Sequence, residues 1–439
     1  MRLLLIAYEF PPSPSPQSLR WIYLVRELVQ LGHEVHVLAP ELGGETRGLP
    51  AIPSDVIFHR TFPGPVRGLL AFFRRRRHRK INADLATTAI ESPRGDEALG
   101  DAIRPPRNWR QRISEQIQEF AQFVHFPDIR GEWRPWASRR LPRLLDTIKP
   151  EAVISSHEPA TTIELALLAK RRGFFWVADL GDPVLASYTP SRWIRRASRI
   201  EHAMCNEADL ITVTTEATAA LMQKRHGRTS GFVVIPQGHD AQRPTRAPAV
   251  KLFDDARLEL FYTGSFYQFR RPDALLAAIL KIPNARLTIA SIAVPESVLA
   301  ASRRSPSQIR LLGFRPHNTI LDLQKAADVL INIANDDMTQ IPGKVNEYFG
   351  SGRPVLNLGP GDDTVSAELT RLRRGWNCRN EINHIVECLT ALNAAKSENR
   401  LDELLDLSHA SVSSTSWRAI ATRLDNALRQ AVKDGSASD

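Results

Sequence analysis

Short apolar runs, each stopped by proline, glycine or a polar cluster, alternate along this chain with stretches whose apolar residues fall three and four apart. Residues 2–8 (RLLLIAY) end at Phe10-Pro11-Pro12 and predict a buried strand. Past a Ser/Pro loop at 13–16, Trp21, Leu24, Val25, Leu28 and Val29 sit at helical spacing, with Gly32 as the stop. Residues 34–39 (EVHVLA) then predict a second strand. Strand, helix, strand with short connections is the right-handed βαβ unit of a doubly wound parallel sheet.

The same alternation returns after a long variable region. Strands are predicted at Ala152–Ser155, Phe175–Leu180, Leu210–Thr214 and Val233–Pro236. It restarts beyond the tract PTRAP at 244–248, with strands at Leu258–Thr263, Arg286–Ala290, Ile309–Leu312, Val329–Ile333 and Pro354–Leu358. The expected fold is therefore α/β, with two Rossmann-like, doubly wound domains facing a central cleft. The first spans 1–243, a linker 244–256, the second 257–414 and a final helix 415–439. Region 41–150 is assigned mostly to helices of the first domain. No internal repeat at solenoid periods is present.

Composition narrows the class. At 439 residues the chain suits two cores rather than one. Its start is too short in apolar residues for a signal peptide, and no stretch approaches the roughly 20 apolar residues of a membrane span. Cys205, Cys378 and Cys388 form no metal-ligand spacing and fit a reduced cytoplasm. The net charge of +10 favours phosphate-bearing partners. Leu69-Leu70-Ala71-Phe72-Phe73 runs into the basic stretch 74–80, which together predict a peripheral contact with anionic lipid at the inner face of a membrane. A solvated basic helix face is the plain alternative. The basic run lacks interleaved aromatics, so no nucleic acid is expected.

In open α/β sheets ligands bind beyond the carboxyl ends of strands, so residues just after strands carry the chemistry. The strongest signal is Ile341-Pro342-Gly343-Lys344-Val345-Asn346-Glu347-Tyr348-Phe349-Gly350 followed by Ser351-Gly352-Arg353-Pro354-Val355-Leu356. Gly343 permits close backbone approach, a helix opens near Lys344, and helix N-termini favour anions. A diphosphate is the expected guest, with Glu347 placed to accept a ribose diol. An ordinary αβ connection with a surface Lys and Glu is the bland reading.

This segment resembles the donor-binding motif of the retaining GT-B glycosyltransferases that build bacterial cell-surface polysaccharides and lipid glycans, a family-4-like group. Glu347 falls on the second of that family's two glutamates, and 352–356 on its following strand; Thr339 stands where the first, sugar-contacting glutamate is usual. The first βαβ unit also looks like the family's, although 13–16 lacks the usual glycines. The resemblance implies donor contacts at Gly264, Ser265, Arg270, Arg271, Gly313, Phe314, Thr339, Pro342, Gly343, Lys344, Val345 and Glu347. It implies catalytic roles for His157, Asp182, Arg270 and Lys344, and a final helix that crosses back onto the first domain. Ser15, Ser18, Arg20 and Asp179 are expected on the acceptor side, although either Asp179 or Asp182 reads equally as a helix cap.

The activity implied is transfer of a sugar from a UDP- or GDP-linked donor to a hydroxyl of a glycan or lipid-linked acceptor, with retention. No D-x-D pair stands at a defensible strand end, since 254–255, 336–337 and 362–363 are adjacent aspartates, so no metal and no cofactor are expected. A nucleotide-sugar epimerase or hydrolase of the same fold, and a degenerate nucleotide-sugar-binding or scaffold protein, remain the alternatives. His33, Trp133 and Trp136 are read as packing residues.

Overall fold

The computed structural model describes residues 1–44, 49–73, 124–186, 189–241, 252–266, 270–334 and 342–436. They divide into two compact units. The first holds the described residues up to Pro236 and again from Ile420 onward; the second holds those of Gln237–Ala419. The chain thus changes unit ahead of the expected linker 244–256, most of which lies outside the described residues, and again inside the final helix.

The first unit is built on seven parallel strands: β1 (Arg2–Ala7), β2 (Glu34–Pro40), β3 (Ile57–Thr61), β4 (Ala152–His157), β5 (Trp176–Leu180), β6 (Leu210–Val213) and β7 (Phe232–Val234). Their order is β3-β2-β1-β4-β5-β6-β7, with every pairing parallel. β1, β4 and β5 are buried on both faces after the first residue of β1, which is why each reads as an apolar run rather than an alternation. The edge strand β3 was not foreseen within 41–150, which was expected to be mostly helical. Its IFHRT sequence is half exposed and mixed in polarity, so no clean period marks it.

Helix α1 (Pro16–Gln30) begins where the Ser/Pro loop ends, with Ser15 as N-cap and Pro16 at the first helical position. It stops at Gly32, whose φ of 86° lies in the left-handed region. Further helices of this unit are a stretch at 65–73, α2 (Arg134–Ile148), α3 (Thr161–Lys170), α4 (Ile194–Glu207) and α5 (Glu216–His226). Trp133, fully buried, donates its indole N–H to Thr61 at 2.7 Å, while Trp136 stays partly exposed against Phe62.

The second unit has six parallel strands: β8 (Leu258–Thr263), β9 (Ala285–Ala290), β10 (Ile309–Leu311), β11 (Val329–Ile333), β12 (Val355–Leu358) and β13 (Gly375–Cys378). The order is β10-β9-β8-β11-β12-β13. Alternate residues of β11 serve two cores: Val329, Ile331 and Ile333 on one face, Leu330 on the other. Its helices are α6 (Asp273–Ile279), α7 (Glu296–Arg304), α8 (His317–Ala326), α9 (Lys344–Gly350), α10 (Thr364–Leu372) and α11 (Ile382–Ser397). Asp363, one of the adjacent aspartates, caps α10 through the amides of Val365 and Ser366.

Helix α12 (Trp417–Ser436) closes the chain. From Ile420 it belongs to the first unit, where Ile420, Ala421, Leu424 and Leu428 are buried. His33, in the turn between α1 and β2, meets Asp425 at 2.8 Å, and Arg429 meets the same oxygen at 2.7 Å.

Candidate functional site

Strand order reverses at β8/β11 in the second sheet, and the crevice of such a sheet lies at the carboxyl ends flanking that point. Gly264 leaves β8 with φ 109°, a conformation side chains rarely adopt, while the space at its Cβ position is open to ordinary contact with Lys344. The requirement for glycine there is conformational. Lys344, first residue of α9, folds toward the same spot. Its Nζ donates to the Thr263 carbonyl at 2.8 Å and lies 3.7 Å from the centre of the Tyr262 ring. Burial, and then the nearby Arg270 charge, hold the Lys344 ammonium well below the ordinary lysine range. Arg270 is itself buried, and its Nη1 donates to the Ser265 carbonyl at 3.2 Å.

The structure therefore brings Gly264, Ser265, Arg270 and Lys344 together and separates Arg271, which is exposed. Two cations converge where a β-strand ends in a left-handed glycine. An incoming diphosphate would offset the cost of burying them so close to each other. Tyr348, one turn along α9, receives the Thr263 amide N–H at 3.0 Å and so fixes the β8 terminus.

Glu347 lies beside α8. Its carboxyl is largely buried, lies 3.5 Å from His317 Nε2, and is pushed up to about 8 by burial, with Gln324 pulling back. Gly313, φ 66°, and Phe314, nearly half exposed, turn between β10 and α8, the helix that carries His317. Pro342 and Val345 are buried, Val345 in the core, and Gly343 is exposed. Thr339 and the aspartates 336–337 lie outside the described residues.

In the first unit the structure corrects the acceptor-side expectation. Arg20 is fully buried and forms an ion pair with Asp179 at 2.9 Å; its remaining donors reach the carbonyls of Ile235 and Pro236. Asp179 also accepts from Gln17, Trp21 and Thr212, so both its oxygens are committed. Ser15 caps α1 by accepting from the Ser18 amide at 3.0 Å, and the Ser18 side chain is buried against it. Arg20 and Asp179 tie α1 to β5, β6 and the chain just past β7, while Ser15 and Ser18 close the start of α1. Neither aspartate caps a helix: Asp179 lies inside β5, and no described helix starts at Asp182.

His157 stands at the carboxyl end of β4, beside the switch point β1/β4. Burial keeps its imidazole below the usual histidine range, although Glu158 opposes this, and a hydrogen bond joins it to the backbone of Asp182. Three residues that sequence reasoning missed surround it at this edge: Glu9 after β1, Glu158 after β4, and Arg130, whose guanidinium reaches both. Their only sequence signal is position just past a strand, which Glu9 and Glu158 share. Arg130 has none.

Residues 92–243 match the model of Glycosyltransferase Family 4. A search of curated protein sequences gave no match. Among solved structures, sucrose-phosphate synthase from Thermosynechococcus elongatus superposes with a TM-score of 0.67 at 14% identity, covering 98% of each chain. Anabaena HepE in complex with UDP and glucose superposes at 0.60 with 11% identity, over 98% of this chain and 100% of that one. The E. coli trehalose-6-phosphate protein bound with UDP-2-fluoro glucose gives 0.60 at 10%, over 98% and 99%. This chain is accordingly a two-domain, Rossmann-like protein of the GT-B fold, similar over 92–243 to Glycosyltransferase Family 4.

Proposed function

We propose that the protein is a glycosyltransferase that moves a sugar from a nucleotide diphosphate to a hydroxyl of a glycan or lipid-linked acceptor, with retention and without a metal. The observation that carries this reading is the convergence of Lys344 and Arg270 on the glycine-terminated end of β8. Two solved relatives hold UDP or a UDP-sugar, which supports a nucleotide-diphosphate donor.

On this reading the β-phosphate sits against Lys344, Arg270 and the backbone after Gly264. Charge that develops on the leaving diphosphate is met by fixed cations already desolvated before the reaction, so little reorganisation is needed. Glu347, protonated over most of the neutral range, can both donate to and accept from a ribose diol. His157, neutral at pH 7, is the first-unit group suited to exchange a proton with a hydroxyl, with Asp182 holding its ring through the backbone. The exposed Leu69, Phe72 and Phe73 fit a peripheral lipid contact; the basic run 74–80 that would complete it lies outside the described residues. Among the described residues no helix is long and apolar enough to cross a membrane.

Thermal stabilisation by a panel of nucleoside diphosphates tests the donor site. One nucleotide should stabilise the wild type without added metal and fail with Lys344→Ala. Absence of stabilisation by every nucleotide would remove the enzyme reading. Co-sedimentation with vesicles containing phosphatidylglycerol, compared with neutral vesicles, tests the lipid contact.

A further inference from the structure

We propose that the carboxyl edge of the first sheet, around Glu9, Arg130 and Glu158, binds the acceptor as a hydroxyl-rich sugar that carries no anionic substituent. This rests on the glycosyltransferase reading and deepens it by naming the acceptor's chemistry.

Arg130 meets three carboxylates: Asp128 at 2.6 Å, Glu9 at 3.1 Å and Glu158 at 3.5 Å. Ser13 donates its hydroxyl to the second Glu9 oxygen at 2.7 Å. The Asp128 and Glu158 side chains remain 30% and 35% exposed, so carboxylate oxygens face solvent at the β1/β4 switch point, where a parallel sheet takes its ligand.

Independent of this cluster, two buried polar atoms beside it have no partner among the described residues. Tyr8 Oη and His157 Nδ1 make no hydrogen bond there, although their residues are 1% and 5% exposed. Buried polar atoms in proteins are nearly always paired, so such atoms at a strand end mark a place for a ligand's own donors and acceptors. Tyr8 lies in the field of Arg67, Glu9, Arg130 and Asp128, and His157 in that of Glu158, Arg130 and Glu201. Tyr8 directly precedes Glu9 past β1, and His157, the last residue of β4, directly precedes Glu158, so both residues adjoin the cluster.

The chemistry of the guest is set by the charges. Three carboxylates face two guanidiniums, counting Arg67, so negative charge is in excess. Carboxylate lone pairs, a phenol and a neutral imidazole suit the alternating donors and acceptors of vicinal hydroxyls. An amino group would be welcome, whereas a phosphate or uronate would meet like charge. Arg20, the cation expected on this side, supplies no positive charge to the edge because it is sealed against Asp179.

Saturation-transfer NMR and titration calorimetry with four matched probes test this: methyl glucoside, methyl glucosaminide, methyl glucuronide and glucose 6-phosphate. The first two should bind the wild type and bind at least about fivefold more weakly to Glu158→Gln and to Glu9→Gln, each of which loses a charged acceptor. The two anionic probes should not bind. Equal or tighter binding of an anionic probe, wild-type affinity in both variants, or no binding by any probe would overturn the proposal. A nucleoside diphosphate titration of the same samples separates the two readings. Nucleotide binding without glycoside binding removes only this inference. Glycoside binding lost in the variants, without nucleotide binding, keeps this site and removes the donor reading.

Discussion

Lys344 illustrates how a functional residue is held at a cost to the fold. Its ammonium is buried against an aromatic ring and a carbonyl rather than a carboxylate, so the charged form is penalised at neutral pH. Lys344→Met keeps the stem and removes the charge. It should raise the melting temperature of the ligand-free protein while weakening nucleoside diphosphate binding about tenfold to a hundredfold, as loss of a charged hydrogen bond does. Calorimetric melting and titration of the same variant check both directions. Glu347 carries a related penalty with a defined pH window. Its folded pKa of about 8 lies above the ordinary glutamate value, so the folded state holds a proton that the unfolded state releases. Stability is undiminished below about pH 4, falls as pH rises, and levels off above about pH 8. Glu347→Gln should flatten that slope and gain on the order of 4 kcal/mol at pH 8 relative to pH 4, read from urea melts at the two pH values.

At the scale of elements, close approach decides more than propensity does. Helix α9 ends at Gly350, where an added Cβ would lie 2.3 Å from the His239 ring. The ring is buried, and its Nδ1 lies 3.4 Å from the Thr415 hydroxyl. It has little room to retreat. Gly350→Ala should therefore destabilise the second unit by about 1–3 kcal/mol despite alanine's better helix propensity; a stabilised variant in chemical denaturation would contradict this packing. Helix α12 makes the opposite kind of contact, an apolar stripe laid on the first unit. Leu424 is almost wholly buried, and Leu424→Ala should cost about 2–5 kcal/mol in the denaturation of that unit.

At the scale of the whole molecule, the chain visits the first unit, then the second, and returns with its last helix. The first unit is therefore incomplete until that helix is made. Deleting residues 415–439 uncovers the surface beneath Ile420, Leu424 and Leu428 and leaves His33 without Asp425. The truncated protein should melt at a lower temperature, with protease cutting concentrated in the first unit; unchanged melting would show that α12 is dispensable.

Much of this architecture was legible from residue order. Short apolar runs located β1, β2 and β4–β12 to within a residue or two, and most of these are strands buried on both faces. The half-exposed edges β3 and β13 were not legible, because polar residues break up the apolar content of IFHRT and GWNC. In the donor region, Gly264 was implied by the family resemblance and Lys344 by a glycine ahead of a helix start, and the structure brings them together. What residue order could not decide was which polar side chains are used up inside the fold. Arg20 and Asp179 are 159 residues apart, Arg130 and Glu9 are 121 apart, and His33 and Asp425 are 392 apart. Local sequence determines period, caps and turns because those depend on neighbours within a few residues. Partners across such distances are chosen only when the sheet order brings strand ends side by side, and that choice sealed one arginine in the core while leaving another at the edge.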